Sequence, residues 1–464
     1  MRGLRLKIRG SVQGVGFRPW VWRVAHGLAL QGVVYNAPDG VEIRVFGPKD
    51  ALDSFRAQLD QPPGGSVVDA IESEVLTTSA PTEFEIVESR ASVGATSVDV
   101  PLAPDLPTCE ACLDELADPT SRRYRHPFIA CAECGPRYTL VHKLPYDRAR
   151  TAMDEFPLCE ECAAEYRQPE DRRFHAEATS CPECGPVLRC LTTTGEGVAR
   201  QQEALAHAVH VLTTGGIVAV HGIGGFHLAC DASSDKAVQL LRERKQRPAK
   251  AFAVMVQRIE TAEEHAIVSP DEHALLTSAV RPIVLLQRRE DSDLAPSVAP
   301  GSPMLGLFLP YTPLHTLLLG DFGNPVVMTS ANRSGEPIAY RLDESFDTLA
   351  ALSDVILTHD REVVASCDDS VVMSAASGPI VLRRSRGYVP RPIQLASSLP
   401  RPVLAYGAQW NNTICLAHGD RAWLSGHVGD LDSPESVTRL AETVERWQQW
   451  LGVEPEVIAY DLHP

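Results

Sequence analysis

The sequence lacks three features that would otherwise decide its cellular setting. It has no apolar run approaching a membrane span and no secretory h-region, since it begins directly with the strand-like MRGLRLKIRG. It is also short of basic residues, with 43 lysines and arginines against 60 aspartates and glutamates and a formal net charge of −17. A basic surface is what nucleic-acid phosphates require. We therefore expect a cytoplasmic protein that binds neither membrane nor nucleic acid.

Cysteine is plentiful, and its spacing is the most specific signal in the chain. Of 12 cysteines, eight form four CxxC pairs: Cys109/Cys112, Cys131/Cys134, Cys159/Cys162 and Cys181/Cys184. Four thiolates complete one tetrahedral zinc site, so the pairs predict two structural zinc ions. Disulfides are the alternative, and a reducing cytoplasm argues against them. The remaining cysteines are expected to be small, largely buried thiols: Cys190, Cys230, Cys367 and Cys415.

The cysteine array is also an internal repeat. Residues 109–136 are echoed by 159–186, including a doubled arginine followed by Tyr or Phe. Duplication favours one zinc per repeat, although a cross-braced pairing between the repeats stays open, because sequence does not fix connectivity. The polar segments between the pairs are too short for a sizeable core, so metal should supply much of the folding free energy. His126, His142 and His175 are interpreted as ordinary surface or packing histidines.

The N-terminal region has the pattern of a βαββαβ, ferredoxin-like domain. An alternating strand at 4–9 leads into a glycine-rich turn, Gly10 to Gly16, and Pro19 suits the first turn of the following helix. Strand, turn and strand follow at 32–47, a helix near 49–60, and strands near 67–76 and 83–88. The loop amides and Arg18 at a helix N-terminus form a cradle for phosphate. The plainer interpretation is a tight turn beside a surface arginine.

The motif SVQGVGFRPWV, followed by GVVYNAPDGVEI, resembles an acylphosphatase domain. The resemblance implies that the loop amides and Arg18 bind an acyl phosphate, while Asn36 orients the attacking water. Residues 89–107 have little apolar periodicity and are interpreted as a connector.

From about residue 198 the sequence alternates helices and apolar strands, an α/β signature. A basic segment, RERKQRPAKAF, and small-residue or charged segments interpreted as turns, among them GIGGFHLACDA, MTSANRSGEP, CDDSVV and LRRSRGYVP, suit a nucleotide cleft. In this order they resemble a YrdC-type domain, the fold of threonylcarbamoyl-AMP synthases. The resemblance implies ATP and acyl-adenylate contacts from Lys245, Arg247, Lys250, Ser330, Asn332, Ser370, Arg383 and Arg386. The variant GGFHLACD points to a carbamoyl-specific relative, and His227 is either a substrate contact or a packed histidine.

The whole domain order resembles the HypF carbamoyltransferases of nickel–iron hydrogenase maturation. The expected fold is multidomain α/β and α+β: an acylphosphatase-like domain (1–90), a double zinc-finger module (105–190), a YrdC-like domain (198–392) and an incomplete transferase domain (400–464). The resemblance implies hydrolysis of carbamoyl phosphate at Arg18 and Asn36, then formation of carbamoyl adenylate from ATP with magnesium. It also implies carbamoyl transfer to the C-terminal cysteine of a HypE-type partner.

The HxxxH-type metal motif that the resemblance implies for the transferase domain is absent from the sequence, which stops at Pro464. We therefore expect a truncated form that hydrolyses and adenylates but does not transfer. Three rival interpretations stay open: a plain acylphosphatase with an inactive nucleotide domain, a zinc-dependent docking scaffold, and a threonylcarbamoyl-AMP synthase. The last is disfavoured because it leaves the acylphosphatase motif without a role.

Overall fold

The computed structural model describes residues 2–37, 40–62, 66–87, 102–333 and 335–462. Pro38 and Asp39 of the predicted turn, residues 89–101 of the predicted connector and the last two residues lie outside this range. Within it, no helix combines the length and the apolar character needed to cross a bilayer.

The N-terminal module confirms the ferredoxin-like prediction, including the strand expected near 83–88, which is β5. Its sheet has the order β4-β1-β3-β2-β5, with β5 parallel to β2. Leu6, Val21 and Phe55 are fully buried in one cluster, so both helices share a core with the sheet. The elements are β1 (Arg2–Ser11), α1 (Phe17–Gly27), β2 (Gln31–Ala37), β3 (Gly40–Gly47), α2 (Lys49–Leu59), β4 (Val67–Leu76) and β5 (Phe84–Ile86).

The cysteine-rich module contains little regular structure. Its two α-helices, α3 (Glu110–Ala117) and α4 (Glu160–Arg167), each begin directly after the first cysteine of a CxxC pair. Two short 3₁₀ turns occupy Tyr138–Leu140 and Arg148–Arg150. The end of the predicted connector is packed here rather than solvated, since Leu102 and Leu106 are buried and the Leu106 amide donates to Gly135 O at 3.0 Å.

The doubled arginines hold the two cysteine repeats together reciprocally. In the first repeat, Arg122 and Arg123 both pair with Glu165 on α4. In the second repeat, Arg172 and Arg173 both pair with Glu115 on α3. Each repeat therefore supplies the cations that hold the helix of the other, which explains why the arginine pair is duplicated along with the cysteines.

The third module is built on a 12-stranded mixed sheet, in which β11 pairs only with β12. The strand order along the rest is β17-β16-β12-β13-β10-β14-β9-β8-β15-β6-β7. The elements are β6 (Leu188–Thr192), β7 (Gly197–Arg200), α5 (Gln201–Thr213), β8 (Val218–His221), β9 (Phe226–Asp231), α6 (Asp235–Lys245), β10 (Ala253–Met255), α7 (Ile259–His265), β11 (Ala266–Ile267), α8 (Pro270–Thr277), β12 (Ile283–Arg288), β13 (Met304–Phe308), α9 (Pro313–Phe322), β14 (Val326–Ser330), α10 (Leu342–Leu352), β15 (Val355–His359), β16 (Val371–Met373) and β17 (Ile380–Arg383).

Two features of this sheet differ from the sequence pattern. Strand β6 pairs with β15, so residues 188–197, ahead of the predicted start at 198, already belong to this sheet. The segment GIGGFHLACDA, interpreted as a turn, is mostly strand: only 222–225 turn, and β9 then pairs antiparallel with β8 and β14. The glycines made the segment look like a loop, but Phe226, Leu228 and Cys230 are fully buried.

The C-terminal segment forms a five-stranded sheet, in the order β18-β21-β20-β19-β22, with one long helix. Trp447 and Trp450 of that helix are buried in a cluster with Tyr138 and Tyr146 of the cysteine-rich module. The Trp450 indole also donates to His142 O at 3.1 Å. The elements are β18 (Ile393–Gln394), β19 (Val403–Ala405), β20 (Cys415–His418), β21 (Arg421–Leu424), α11 (Pro434–Leu451) and β22 (Val457–Ala459).

Candidate functional site

The eight CxxC cysteines form two separate clusters, one per repeat. The first contains Cys109, Cys112, Cys131 and Cys134, and the second Cys159, Cys162, Cys181 and Cys184. This is the sequential arrangement, not the cross-braced one. Within the clusters, five pairs of neighbouring Sγ atoms lie 3.5–3.8 Å apart. Four sulfurs about 2.3 Å from one zinc ion would be separated by roughly 3.8 Å, so both clusters fit zinc.

Arginines from the opposite repeat also contact the clusters. Arg122 Nη2 lies 2.8 Å from Cys162 Sγ, and Arg172 Nη2 lies 3.3 Å from Cys112 Sγ. A tetrathiolate zinc site carries excess negative charge, which these guanidinium groups offset. Of the other cysteines, Cys190, Cys230 and Cys367 are buried and Cys415 is half-buried.

The phosphate cradle is the loop between β1 and α1. Helix α1 begins at Phe17, and Gly16 before it is left-handed with φ of 73°. Arg18 lies in the first helical turn, where backbone N–H groups and the helix dipole favour an anion. It is only 7% exposed. The arginine is therefore not the surface residue that the plainer interpretation proposed.

The cradle is covered by the cysteine-rich module. Arg137 reaches into it, donating from Nε to Gly14 O and from Nη1 to Cys134 O, the latter at 3.0 Å. Arg18 is paired with two carboxylates of the same module, Glu177 at 3.0 Å and Asp147 at 3.3 Å. The cavity between the cradle and this module measures about 20 Å³. Because that is room for about one water, an acyl phosphate would have to displace side chains that line the cavity.

Two buried polar groups at the cradle have no hydrogen-bond partner, Asn36 Oδ1 and the Tyr146 hydroxyl. Asn36 is fully buried and does not line the small cavity, but its Nδ2 donates to Tyr146 O at 3.1 Å. Tyr146 does line the cavity, and burial raises the pKa of its hydroxyl to about 12. Unpaired buried acceptors and donors are costly, so this region is suited to a small polar ligand or water.

The second candidate site is a cleft of the third module, lined by residues of the 12-stranded sheet from β9 across to β17. It consists of a cavity of about 250 Å³ and an adjoining one of about 80 Å³. Of the predicted residues, Arg247, Lys250, Ser330 and Arg383 line both cavities, and Lys245 and Asn332 line the smaller one. Residues separated by more than 130 positions in the sequence are thus assembled at one cleft.

Lys245 stabilises the Ser-x-Asn turn through three hydrogen bonds. Its ammonium, on a residue 2% exposed, donates to Ser330 O at 2.6 Å, Asn332 O at 2.7 Å and Asn332 Oδ1 at 2.9 Å. Ser330 Oγ donates to the same Asn332 Oδ1 at 2.6 Å. All three ammonium hydrogens are therefore used within the protein, and Lys245 shapes the cleft rather than presenting a free cation to it.

Positive charge is in excess at the smaller cavity of the cleft, which five cationic side chains line against three carboxylates, one of which, Asp368, pairs with Arg383 at 2.7 Å. Burial, together with Arg383 and Arg242, lowers the pKa of Arg247 to about 10. Burial and the neighbouring Arg247 and Arg383 also lower the pKa of Lys250. A polyphosphate bound here would reduce the repulsion between these cations and would be attracted by them. This is the electrostatic character of an anion site.

The last two predicted residues lie behind the cleft wall. Ser370 is fully buried, donating to Arg386 O at 2.9 Å and accepting from the Ser385 amide at 2.8 Å. Arg386 is paired with Asp369 at 2.8 Å and lies over the Tyr311 ring. Neither residue lines the two cavities. Arg386 is connected to the cleft through its ion pair with Asp369, which lines the larger cavity, and Ser370 is connected through its hydrogen bond to Arg386 O.

His227 is a buried residue that also faces the larger cavity. It is 2% exposed, and its Nε2 lies 3.3 Å from Asp369 Oδ2. It sits on β9 directly opposite Ser330 of β14. Both ring nitrogens lack a hydrogen bond of good geometry. The histidine is thus placed beside the Ser-x-Asn turn, at a position that could contact a ligand.

The C-terminal segment contributes residues that sequence reasoning did not assign. Asn411, His427 and Asp430 line the smaller cavity together with Lys250 and Arg383. Burial lowers the pKa of His427, and Arg383 lowers it further. The loop SGHVGDL contained the signal, a small-residue turn after a strand, but only the folded chain shows that it lies at the cleft of another module.

Family models match each region of the chain. An acylphosphatase model matches residues 4–86, a HypF finger model matches 108–141 and 158–191, a telomere recombination model of the Sua5, YciO and YrdC proteins matches 210–385, and a HypF Kae1-like domain model matches 398–464. The matches follow the four structural modules in order.

Whole-chain relatives give the same result. Carbamoyltransferase HypF2 of Cupriavidus necator is 47% identical over 99% of this chain, and carbamoyltransferase HypF of Synechocystis is 44% identical over 100%. The chain spans 59% and 60% of their lengths. A crystal structure of full-length HypF in a phosphate- and nucleotide-bound form matches with a TM-score of 0.95 and 42% identity, covering all of this chain and 60% of that one.

Proposed function

Because the chain belongs to the HypF carbamoyltransferase family, we propose that two of its modules act in sequence on carbamoyl phosphate and ATP. The cradle would hydrolyse carbamoyl phosphate to phosphate and carbamate. The cleft would join carbamate to ATP as carbamoyl adenylate. In the complete reaction the carbamoyl group would pass to the C-terminal cysteine of a HypE-type partner in nickel–iron hydrogenase maturation. We place this chemistry in the cytoplasm, where thiolates stay reduced.

The cradle would act by offsetting charge and positioning water. Arg18 and the amides of the loop before α1 would compensate the charge on the phosphoryl oxygens, which grows as the bond to the carbamoyl group breaks. The unpaired Asn36 Oδ1 would accept a hydrogen bond from the attacking water. Water adds to phosphorus, phosphate forms, and carbamate leaves with the electron pair of the broken bond. Enclosure would keep this labile product from bulk solvent.

The cleft would act on ATP. A carbamate oxygen attacks the α-phosphorus, and the bond to the β-phosphate breaks, releasing pyrophosphate. Arg247, Lys250 and Arg383 would offset the triphosphate charge. The cleft also carries oxygen ligands of the kind magnesium prefers, the carboxylates of Glu336, Asp368 and Asp430. Magnesium bound there would neutralise phosphate charge, whereas the two cysteine clusters would hold zinc for structure.

One observation carries this proposal: a single chain contains both a cradle with a buried arginine and a separate cleft, with cavities of about 250 and 80 Å³, that Arg247, Lys250 and Arg383 line. A plain acylphosphatase would need no such cleft, and a docking scaffold would need neither.

The test is pyrophosphate release from ATP by the purified chain, with and without carbamoyl phosphate, beside Arg18→Ala. We expect release that requires carbamoyl phosphate and is lost in the variant. Phosphate liberation without pyrophosphate would reduce the chain to an acylphosphatase. Pyrophosphate release that depends on threonine instead would indicate a threonylcarbamoyl-AMP synthase.

A further inference from the structure

The arginine of the phosphate cradle is held by residues of a different module. Arg18 Nη2 donates to Glu177 Oε1 at 3.0 Å, and Arg18 Nη1 donates to Asp147 Oδ1 at 3.3 Å. Glu177 lies between Cys162 and Cys181, inside the second zinc-finger repeat. Its side chain is 2% exposed, against 26% for Asp147. A carboxylate buried this deeply needs several partners to be tolerated.

Glu177 has those partners, and they come from its own module. Its Oε2 accepts from the Tyr166 hydroxyl at 2.7 Å and from the Arg148 amide at 3.1 Å. The Arg148 guanidinium also donates to Glu177 O at 2.7 Å, which fixes the backbone. The carboxylate is therefore immobilised before it meets Arg18. A long, flexible arginine that ends on an immobile carboxylate loses most of its freedom.

Two interpretations of the Arg18–Glu177 pair are possible, and the geometry separates them. If Glu177 occupied the phosphate position, the loop amides of the cradle would donate to it. Among the described hydrogen bonds, its donors are Arg18, Tyr166 and Arg148, and none belongs to the loop. The pairs with Glu177 and Asp147 use two of the five N–H donors of the guanidinium. Among the described residues, the Val12 amide donates to Gly10 O at 2.9 Å, and the loop amides that follow it and the other guanidinium donors stay available to an anion.

The charges around the cradle are also compatible with binding a phosphate. Three arginines, Arg18, Arg137 and Arg148, lie around the cradle with three carboxylates, Asp147, Glu177 and Asp105, the last accepting from the Arg137 amide at 2.6 Å. The arginines therefore match the carboxylates, and the cradle does not carry a net negative charge that would repel an anion.

From these contacts we infer that Glu177 is a positioning residue of the hydrolytic site, contributed by the second zinc finger. It would set the orientation of Arg18, and Tyr166 would set the orientation of Glu177. The second finger would then be part of the acylphosphatase site and not only a structural neighbour. The inference rests on the proposed role of Arg18.

The experiment compares the full chain with three variants: Glu177→Ala, Tyr166→Phe and Glu170→Ala. Glu170 is an exposed carboxylate of the same repeat and serves as the matched control. Two readouts are taken, the kcat and KM of carbamoyl phosphate hydrolysis and the dissociation constant of inorganic phosphate by calorimetry. Zinc content is measured for each variant, because two ions per chain show that both fingers remain folded.

We expect Glu177→Ala to lower kcat roughly 10- to 100-fold and to weaken phosphate binding at least about tenfold. Tyr166→Phe should shift both readouts in the same direction by a smaller factor, and Glu170→Ala should change neither. Unchanged or tighter phosphate binding in Glu177→Ala would overturn the inference, as would a wild-type chain that binds no phosphate. A wild type that binds phosphate without turnover would contradict the proposed hydrolysis alone, and the binding comparison would still decide the role of Glu177.

Discussion

The lysines of the basic segment show how one sequence pattern produces two roles. Both Lys245 and Lys250 line the smaller cavity, but Lys245 donates all three of its hydrogens to Ser330 and Asn332. Lys245→Met would remove the ammonium donor from Ser330 O and Asn332 O, while Asn332 Oδ1 would keep its bond from Ser330 Oγ, so we expect a loss of about 1–3 kcal/mol of stability in the third module. Lys250→Met should leave stability nearly unchanged and raise the KM for ATP roughly tenfold. Calorimetric unfolding and pyrophosphate kinetics distinguish the two variants.

Equal destabilisation by both lysine substitutions would contradict this division of roles. Arg333→Ala is a suitable control, because it removes a cation from the rim of the smaller cavity without removing a brace. It should weaken ATP binding without changing the unfolding temperature.

For individual residues, the sequence predicted which residue types gather at each site but not which hydrogen bonds each side chain makes. The run from Arg242 to Lys250 is contiguous, so its positive charge is visible in the sequence. The hydrogen bond from Lys245 to Ser330 O, 85 residues later in the sequence, depends on the folded sheet. Glu177 gave no signal because a single acid in a polar loop has no period or spacing to identify it.

Among the elements, the cradle loop makes the strictest demand on its residues. Gly14 has φ of +73°, and a Cβ there would lie 3.2 Å from Arg137 Cδ and 3.3 Å from the Tyr146 ring. Gly14→Ala would combine a left-handed backbone penalty with crowding, so we expect about 1–2 kcal/mol of destabilisation and a loss of carbamoyl phosphate hydrolysis. The control is Gly27→Ala, at the end of α1, where a Cβ meets nothing within 4 Å.

Gly27→Ala should hydrolyse at the wild-type rate and unfold at the same or a slightly higher temperature, because alanine restricts the unfolded chain. If Gly14→Ala retained full hydrolysis, the loop between β1 and α1 would not be the phosphate cradle. Rates of phosphate release and unfolding temperatures of both variants decide the matter.

Elements with a clear period were predicted well, whereas long-range pairing was not. The helix expected near 49–60 is α2 at Lys49–Leu59, and its apolar stripe of Leu52, Phe55 and Leu59 is buried. Strand β6 was missed as part of the third module because its partner, β15, lies more than 160 residues later, with Leu357 opposite Cys190. The local sequence pattern does not specify which residues of β6 and β15 pair.

Across the whole molecule, the cysteine-rich module is the common support of the two sites. It covers the phosphate cradle through Arg137, Tyr146 and Glu177, and its Phe128 and Ile129 share a buried cluster with Leu188 and Leu357 of the third module. The C-terminal segment completes the arrangement, since Asn411 and His427 line the smaller cavity of the cleft. Each site is therefore built by more than one module, which domain boundaries in the sequence could not show.

If the sites act in sequence, their chemistry should be separable by supplying the intermediate from outside. Arg18→Ala should fail to release pyrophosphate with carbamoyl phosphate, but it should recover release to within roughly threefold of wild type when ammonium carbamate is added. Lys250→Met should be rescued by neither compound, because its defect lies at the nucleotide. The measurement is pyrophosphate release at matched ATP concentration, with zinc content confirming folded variants. An Arg18→Ala protein that retains both zinc ions and is not rescued would show that the cleft accepts carbamate only from the cradle, and the two sites would then be a single catalytic unit.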